Sequence, residues 1–118
     1  MMKVVDFLAG LSDEIGRRPY FIKFEILEHS SNLIKARLII SNTLFVQIYR
    51  NDQYNTTNLA LIHNASRIYA RDQLGGVWHR HGYNNPEAHD TSSEGRKPVA
   101  LAEFLDEVEA LLAQLKLP

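Results

Sequence analysis

Cysteine is absent from the 118 residues, which removes disulfide frameworks, thiol nucleophiles and thiolate metal ligands together. Long apolar runs are missing as well, since none approaches the roughly 20 residues needed to span a bilayer. The start, Met1-Met2-Lys3-Val4-Val5-Asp6, lacks the apolar stretch and cleavage site of a secretory signal. A soluble cytoplasmic protein with no membrane partner is the expectation. Neither sign of charge dominates: 13 Lys/Arg stand against 14 Asp/Glu. With a pI near 6.5, the chain lacks the strongly basic profile, pI above about 9, of a general nucleic-acid binder. The balance is nevertheless uneven. Residues 1–97 hold 12 Lys/Arg and 10 Asp/Glu, whereas residues 98–118 set Lys116 against Glu103, Asp106, Glu107 and Glu109. The acidic character belongs to the C-terminal segment, and the body is left slightly basic.

What is present reads as one domain over residues 1–118, with ordinary apolar content of 45%. Val4, Val5, Leu8 and Leu11 recur at helical spacing and predict a helix over Lys3–Ser12, closed by Gly16 and Pro19. From Tyr20 the period becomes two. Tyr20, Ile22, Phe24 and Ile26 alternate with Phe21, Lys23, Glu25 and Leu27. Ile34, Ala36, Leu38 and Ile40 mark a second strand, and Leu44, Val46 and Ile48 a third within Thr43–Arg50. Further strands are predicted at Thr57–His63, Arg67–Asp72 and Val77–His81, the last two joined by Gly75-Gly76. Gly82–Lys97 is a 16-residue loop, long enough to suggest a functional role. Leu101, Phe104, Leu105, Val108, Leu111, Leu112 and Leu115 then predict an amphipathic helix over Ala100–Leu115. The fold class expected is α+β: a single antiparallel meander sheet of about six strands, packed by the N- and C-terminal helices.

Chemistry-bearing residues concentrate between Ser66 and Asp90: His79, His81, His89, Arg67, Arg71, Arg80 and the sole tryptophan, Trp78. Taken singly, a histidine is more often an ordinary hydrogen-bonded residue than a site; the concentration singles these out. If Arg67–Asp72 and Val77–His81 pair, Arg67, Tyr69 and Arg71 are expected on one face, with His79 and His81 aimed at the same surface and Trp78 and Arg80 turned away. A one-residue slip would exchange these faces. Three chemistries fit. Metal-free phosphodiester cleavage, with no cofactor, needs an acid and a base titrating near neutrality, supplied by His79 and His81. It also needs a cation against developing charge, supplied by Arg71 or Arg67, and Tyr69 or Trp78 could stack on a base of single-stranded RNA. A metal site would instead use His79 and His81, closed by His89 or Asp90. The third alternative is a pocket that binds a small ligand or a partner and catalyses nothing.

The order of an N-terminal helix, Phe24-Glu25-Ile26-Leu27-Glu28, Ile34-Lys35-Ala36-Arg37-Leu38, Arg67-Ile68-Tyr69-Ala70-Arg71-Asp72, Trp78-His79-Arg80-His81 and a Leu-rich acidic helix resembles the TumE-like family of small bacterial and archaeal proteins. That family is regarded as the toxin component of toxin–antitoxin systems. Its members carry adjacent histidines, whereas Arg80 separates His79 from His81 here. The resemblance implies a translation-inhibiting, RNA-cleaving toxin neutralised by a helix-turn-helix antitoxin. It carries across Arg71, Asp72, His79 and His81 as catalytic positions, Asp72 orienting a histidine or pairing an arginine. Arg67, Tyr69, Trp78 and Arg80 are the expected substrate contacts, and a homodimer is the expected self-association.

Overall fold

A computed structural model describes residues 3–117. Its elements run α1 (Val4–Arg17), β1 (Lys23–His29), β2 (Leu33–Ser41), β3 (Leu44–Asn51), β4 (Thr56–His63), β5 (Ser66–Leu74), β6 (Val77–His81) and α2 (Leu101–Leu115). The strands form one sheet in the order β1-β2-β3-β4-β5-β6, every neighbouring pair antiparallel. This is the α+β meander with terminal helices that the hydrophobic periods imply.

Short turns make the meander, and one is specified by conformation. Gly75 and Gly76 have φ of +57° and +89°, a left-handed pair that glycine adopts without a Cβ penalty. Leu74 consequently lies opposite Val77, and the pairing continues through Asp72 with His79 to Ala70 with His81. Three bulges interrupt the other pairings, at Leu27, Ile40 and Ile68.

One sheet face is the core. Ile34, Ala36, Leu38, Leu44, Val46, Ile48, Leu59 and Leu61 are buried there with Phe7 and Leu11 of α1 and Phe104, Leu105 and Val108 of α2. Each large side chain so buried contributes about 1.5–3 kcal/mol relative to exposure. α1 lies against β2 and α2 against β4, with the two helices also touching. α2 begins where the Ala100 amide donates to Glu103 Oε1 at 2.9 Å. α1 extends to Arg17 rather than stopping near Ser12, as the sequence pattern suggests. Its last turn is held by Glu14, which accepts from Arg18 Nε at 2.6 Å, while Arg18 reaches Asp106 of α2 at 3.0 Å. That tertiary anchor overrides the helix-weakening Gly10 and Gly16.

The far end of the core contains a buried polar network. Arg50 donates to Asp52, Thr57, Asn55 and Gln73 at 3.0–3.1 Å. Asp52 in turn accepts from the Val4 amide at 3.2 Å and so ties the start of α1 to the β3–β4 turn. No helix among the described residues is long and apolar enough to cross a membrane.

Candidate metal centre

Directly opposed residues of an antiparallel pair share a face. The two-glycine turn therefore sets Asp72 beside His79, and Arg71 beside Arg80 on the other side. Arg71 and Tyr69 accordingly join Trp78 and Arg80 on the helix-covered face, not the histidines. The expected grouping is corrected there. Arg67 does meet the histidines, as expected, but parts from Tyr69 and Arg71. Ile68 is an extra residue between the pairings of Leu61 with Tyr69 and Ile62 with Arg67, so the bulge reverses the alternation and turns Arg67 onto the histidine face.

On the helix side, Arg71 is fully buried. It donates to Glu107 through Nε (3.1 Å) and Nη2 (2.7 Å), and to the Glu94 carbonyl through Nη1 (2.6 Å). Tyr69 donates to the same Glu107 at 2.7 Å and stacks on Phe104 with ring centroids 5.9 Å apart. Burial first, then the bond to Glu107, pushes the Tyr69 phenol up to about 12. Trp78 is buried in the core. Arg80 binds Asp90 Oδ2 at 2.9 and 2.6 Å. Hydrogen bonds from Ser92, followed by the one from Arg80, lower the Asp90 carboxyl to about 2.

The histidine face carries the cluster. Asp72 Oδ2 lies 3.1 Å from His81 Nε2 and 3.5 Å from His79 Nε2. Asn58 of β4, opposite Asp72 in register, donates to its Oδ1. His89 arrives from the long loop. Arg80 and Asp90 exchange backbone hydrogen bonds at 3.2 and 2.7 Å, forming an isolated antiparallel bridge. Asp90 therefore shares the face of Arg80, and His89 shares that of His79 and His81. The His89 ring centre lies 4.6 Å from that of His79 and 4.7 Å from that of His81. One ligand nitrogen from each of the three rings falls within 4.8 Å of the others.

Hydrogen bonding fixes one tautomer. His81 Nδ1 is 2.9 Å from the Pro86 carbonyl, which can only accept, so Nδ1 carries a proton. Arg67 Nη2, 3.3 Å from Nδ1, finds its acceptor instead at the same carbonyl, 3.2 Å away. The Nε2 lone pair of a neutral His81 then faces a carboxylate oxygen at 3.1 Å. Two acceptors at that separation require a proton or a cation between them. His79 and His81 are buried and His89 is exposed. Burial holds the His79 imidazole below its ordinary pKa, with His89, His81 and Arg67 adding to the effect and Asp72 opposing it.

Of the residues expected from the sequence, the structure brings together His79, His81, Asp72 and Arg67; it places Arg71, Tyr69, Trp78 and Arg80 behind the sheet. His89, considered only as a closing metal ligand, is a full member of the cluster. Asn58 and Pro86 had no signal in the sequence, because their roles depend on strand register and on the path of a loop. No family model, curated protein or solved structure matches the chain.

Proposed function

We propose that the protein is a hydrolase cleaving phosphodiester bonds, with RNA as substrate, whose centre holds a first-row divalent metal on His79, His81, His89 and Asp72. The observation that carries the metal is the placement of Asp72 Oδ2 at 3.1 and 3.5 Å from two imidazole Nε2 atoms. Ligands about 2.1 Å from a common ion lie roughly 3.0 Å apart at octahedral cis positions and roughly 3.4 Å apart in a tetrahedron. Imidazole and carboxylate ligands suit zinc, iron, nickel or manganese. The outer contacts are also those of a metal site: the Pro86 carbonyl fixes the His81 tautomer and Asn58 orients Asp72.

When bound there, such an ion supplies Lewis acidity toward a phosphoryl oxygen and makes a water more acidic. The chain's own contribution follows from the sheet face opposite the helices. Arg67 stands beside His81, positioned to attract a phosphate and offset charge developing on it. Tyr49 occupies the row of Asn58 and Asp72 and offers a stacking surface that Tyr69 and Trp78, behind the sheet, do not. RNA cleavage to inhibit translation, and neutralisation by a helix-turn-helix antitoxin, rest on the resemblance to TumE-like toxins rather than on the geometry.

A metal-free reading has one observation in its favour. Asp72 lies within reach of both histidines, so it can orient an acid–base pair, with Arg67 rather than Arg71 as the cation. Purified protein should contain stoichiometric metal, cleave RNA, lose cleavage in chelator and regain it on adding back zinc or manganese. His81→Ala should lose both metal and cleavage. Cleavage that survives chelation would select the metal-free reading. Metal binding without cleavage would leave a binding domain, and absence of both would overturn the proposal.

A further inference from the structure

The two edges of the sheet are treated differently. Beyond β6 the chain returns and caps the edge through the Arg80–Asp90 bridge. β1 has no such cover among the described residues, and every residue from Lys23 to His29 is exposed. Its apolar side chains and that of Ile22 just before it are large, with Ile22 68%, Phe24 41%, Ile26 43% and Leu27 44% exposed. Charged residues and a bulge are common devices for keeping edge strands solitary, and β1 has both, in Lys23, Glu25 and Glu28 and in the bulge at Leu27. The order of its charges is nonetheless self-complementary.

We infer that β1 pairs antiparallel with β1 of a second copy, Phe24 facing Phe24 across a two-fold axis perpendicular to the sheet. In that register Lys23 of each copy lies opposite Glu25 of the other, and Ile22 lies opposite Ile26. The faces agree as well. Phe24 and Ile26 oppose Leu38 and Ala36 on the helix side, while Lys23 and Glu25 oppose Ile39 and Arg37 on the other. Like faces stay together across such an axis, so Phe24 meets Phe24, Ile22 meets Ile26 and Lys23 meets Glu25, while Glu28 falls beyond the charge pair. Moving the axis by one residue would set Glu25 against Glu25, or Lys23 against Lys23. The strand is ready to extend at its start, because the Ile22 amide already donates to the Ile39 carbonyl at 2.8 Å. The occupant is therefore a second copy of this chain, and the pairing makes one sheet continuous across both.

Because the chain has no cysteine, single-cysteine variants read the register directly. Under mild oxidation Phe24→Cys should give a disulfide-linked dimer, since residues on the axis can approach within the roughly 4.4–6.8 Å that a disulfide requires. Leu27→Cys should not, because its two copies lie roughly 20 Å apart along the strands. By light scattering the wild-type chain should be dimeric. Lys23→Glu or Glu25→Lys should weaken association about tenfold, and the double exchange should restore it. Far-UV circular dichroism of each variant verifies the fold. A monomeric wild-type chain, equal crosslinking at residue 27, or failure of the double exchange to rescue would each overturn the proposal.

Discussion

Arg71 offers the sharpest separation between a residue that acts on substrate and one that holds the fold. Its guanidinium is fully buried and makes two hydrogen bonds to Glu107 and one to the Glu94 carbonyl. Arg71→Ala removes the partner of a carboxylate whose side chain is only 30% exposed, and also strips a donor from the Glu94 carbonyl. Breaking a buried ion pair from one side destabilises by about 3–5 kcal/mol. Glu107 retains some water, which places the expectation near about 3 kcal/mol. In a domain of this length that lowers Tm by about 10 °C, readable by calorimetry. Arg71→Met, which fills the same space but also strands Glu107, should fall nearly as far. Glu107→Gln together with Arg71→Met removes both charges and should recover part of the loss.

The same variants should leave the histidine face alone, because the sheet lies between the two groups. Zinc affinity of Arg71→Ala, measured by calorimetric titration below its Tm, should stay within about threefold of the wild type. The reasoning fails if Arg71→Ala melts normally yet loses metal or RNA cleavage. That outcome would mean that the side chain leaves Glu107 and works on the opposite face.

Other expectations are equally specific. Asn58→Ala should weaken zinc binding about 10- to 100-fold in the same titration, as loss of an outer contact to a ligand does. Gly76→Ala should destabilise by about 1–2 kcal/mol in urea, because it forces an L side chain into φ of +89° and places its Cβ 3.1 Å from Asn55 Nδ2. Tyr69, with its phenol pushed up to about 12, should remain protonated in the folded protein at a pH where an unfolded tyrosine has ionised. Its contribution to stability is therefore complete below pH ~10 and disappears as pH rises to about 12. A wild-type minus Tyr69→Phe difference titration at 295 nm checks this, and Glu107→Gln should bring the midpoint down.

Most of the architecture could be read from hydrophobic period because β2 and most of β3 bury one face and leave the other half-exposed. That alternation is visible in Ile34-Lys35-Ala36-Arg37-Leu38 without any coordinates. The end of α1 could not be read this way. Glu14 and Arg17 look like ordinary polar residues after a glycine, and only the approach of Asp106 from a helix 88 residues later makes Arg18 an anchor. β1 shows the opposite difficulty. Its pattern suggests a half-buried strand, yet neither helix extends over it, and all seven residues are exposed.

The site fails to be read for a reason of parity rather than composition. Alternation within a strand is local, but the face two strands share depends on the sum of their residue numbers, which the turn decides. With Leu74 opposite Val77, paired residues always differ in parity, so odd-numbered Arg71 must share a face with even-numbered Arg80. Glycine at 75 and 76 already contains that information, and it predicts Asp72 beside His79 and Ala70 beside His81. The bulge at Ile68 contains none in advance, and it alone carries Arg67 across. His89 is a third case. Its face follows by the same parity once Asp90 is paired with Arg80, but nothing local says that an aspartate ten residues along a Gly- and Asn-rich loop returns to that arginine. The segment between Ser66 and Asp90 thus holds two chemistries on two sides of one hairpin. An acid–arginine pair to α2 fixes the hairpin from behind, and the histidines gather around Asp72 in front.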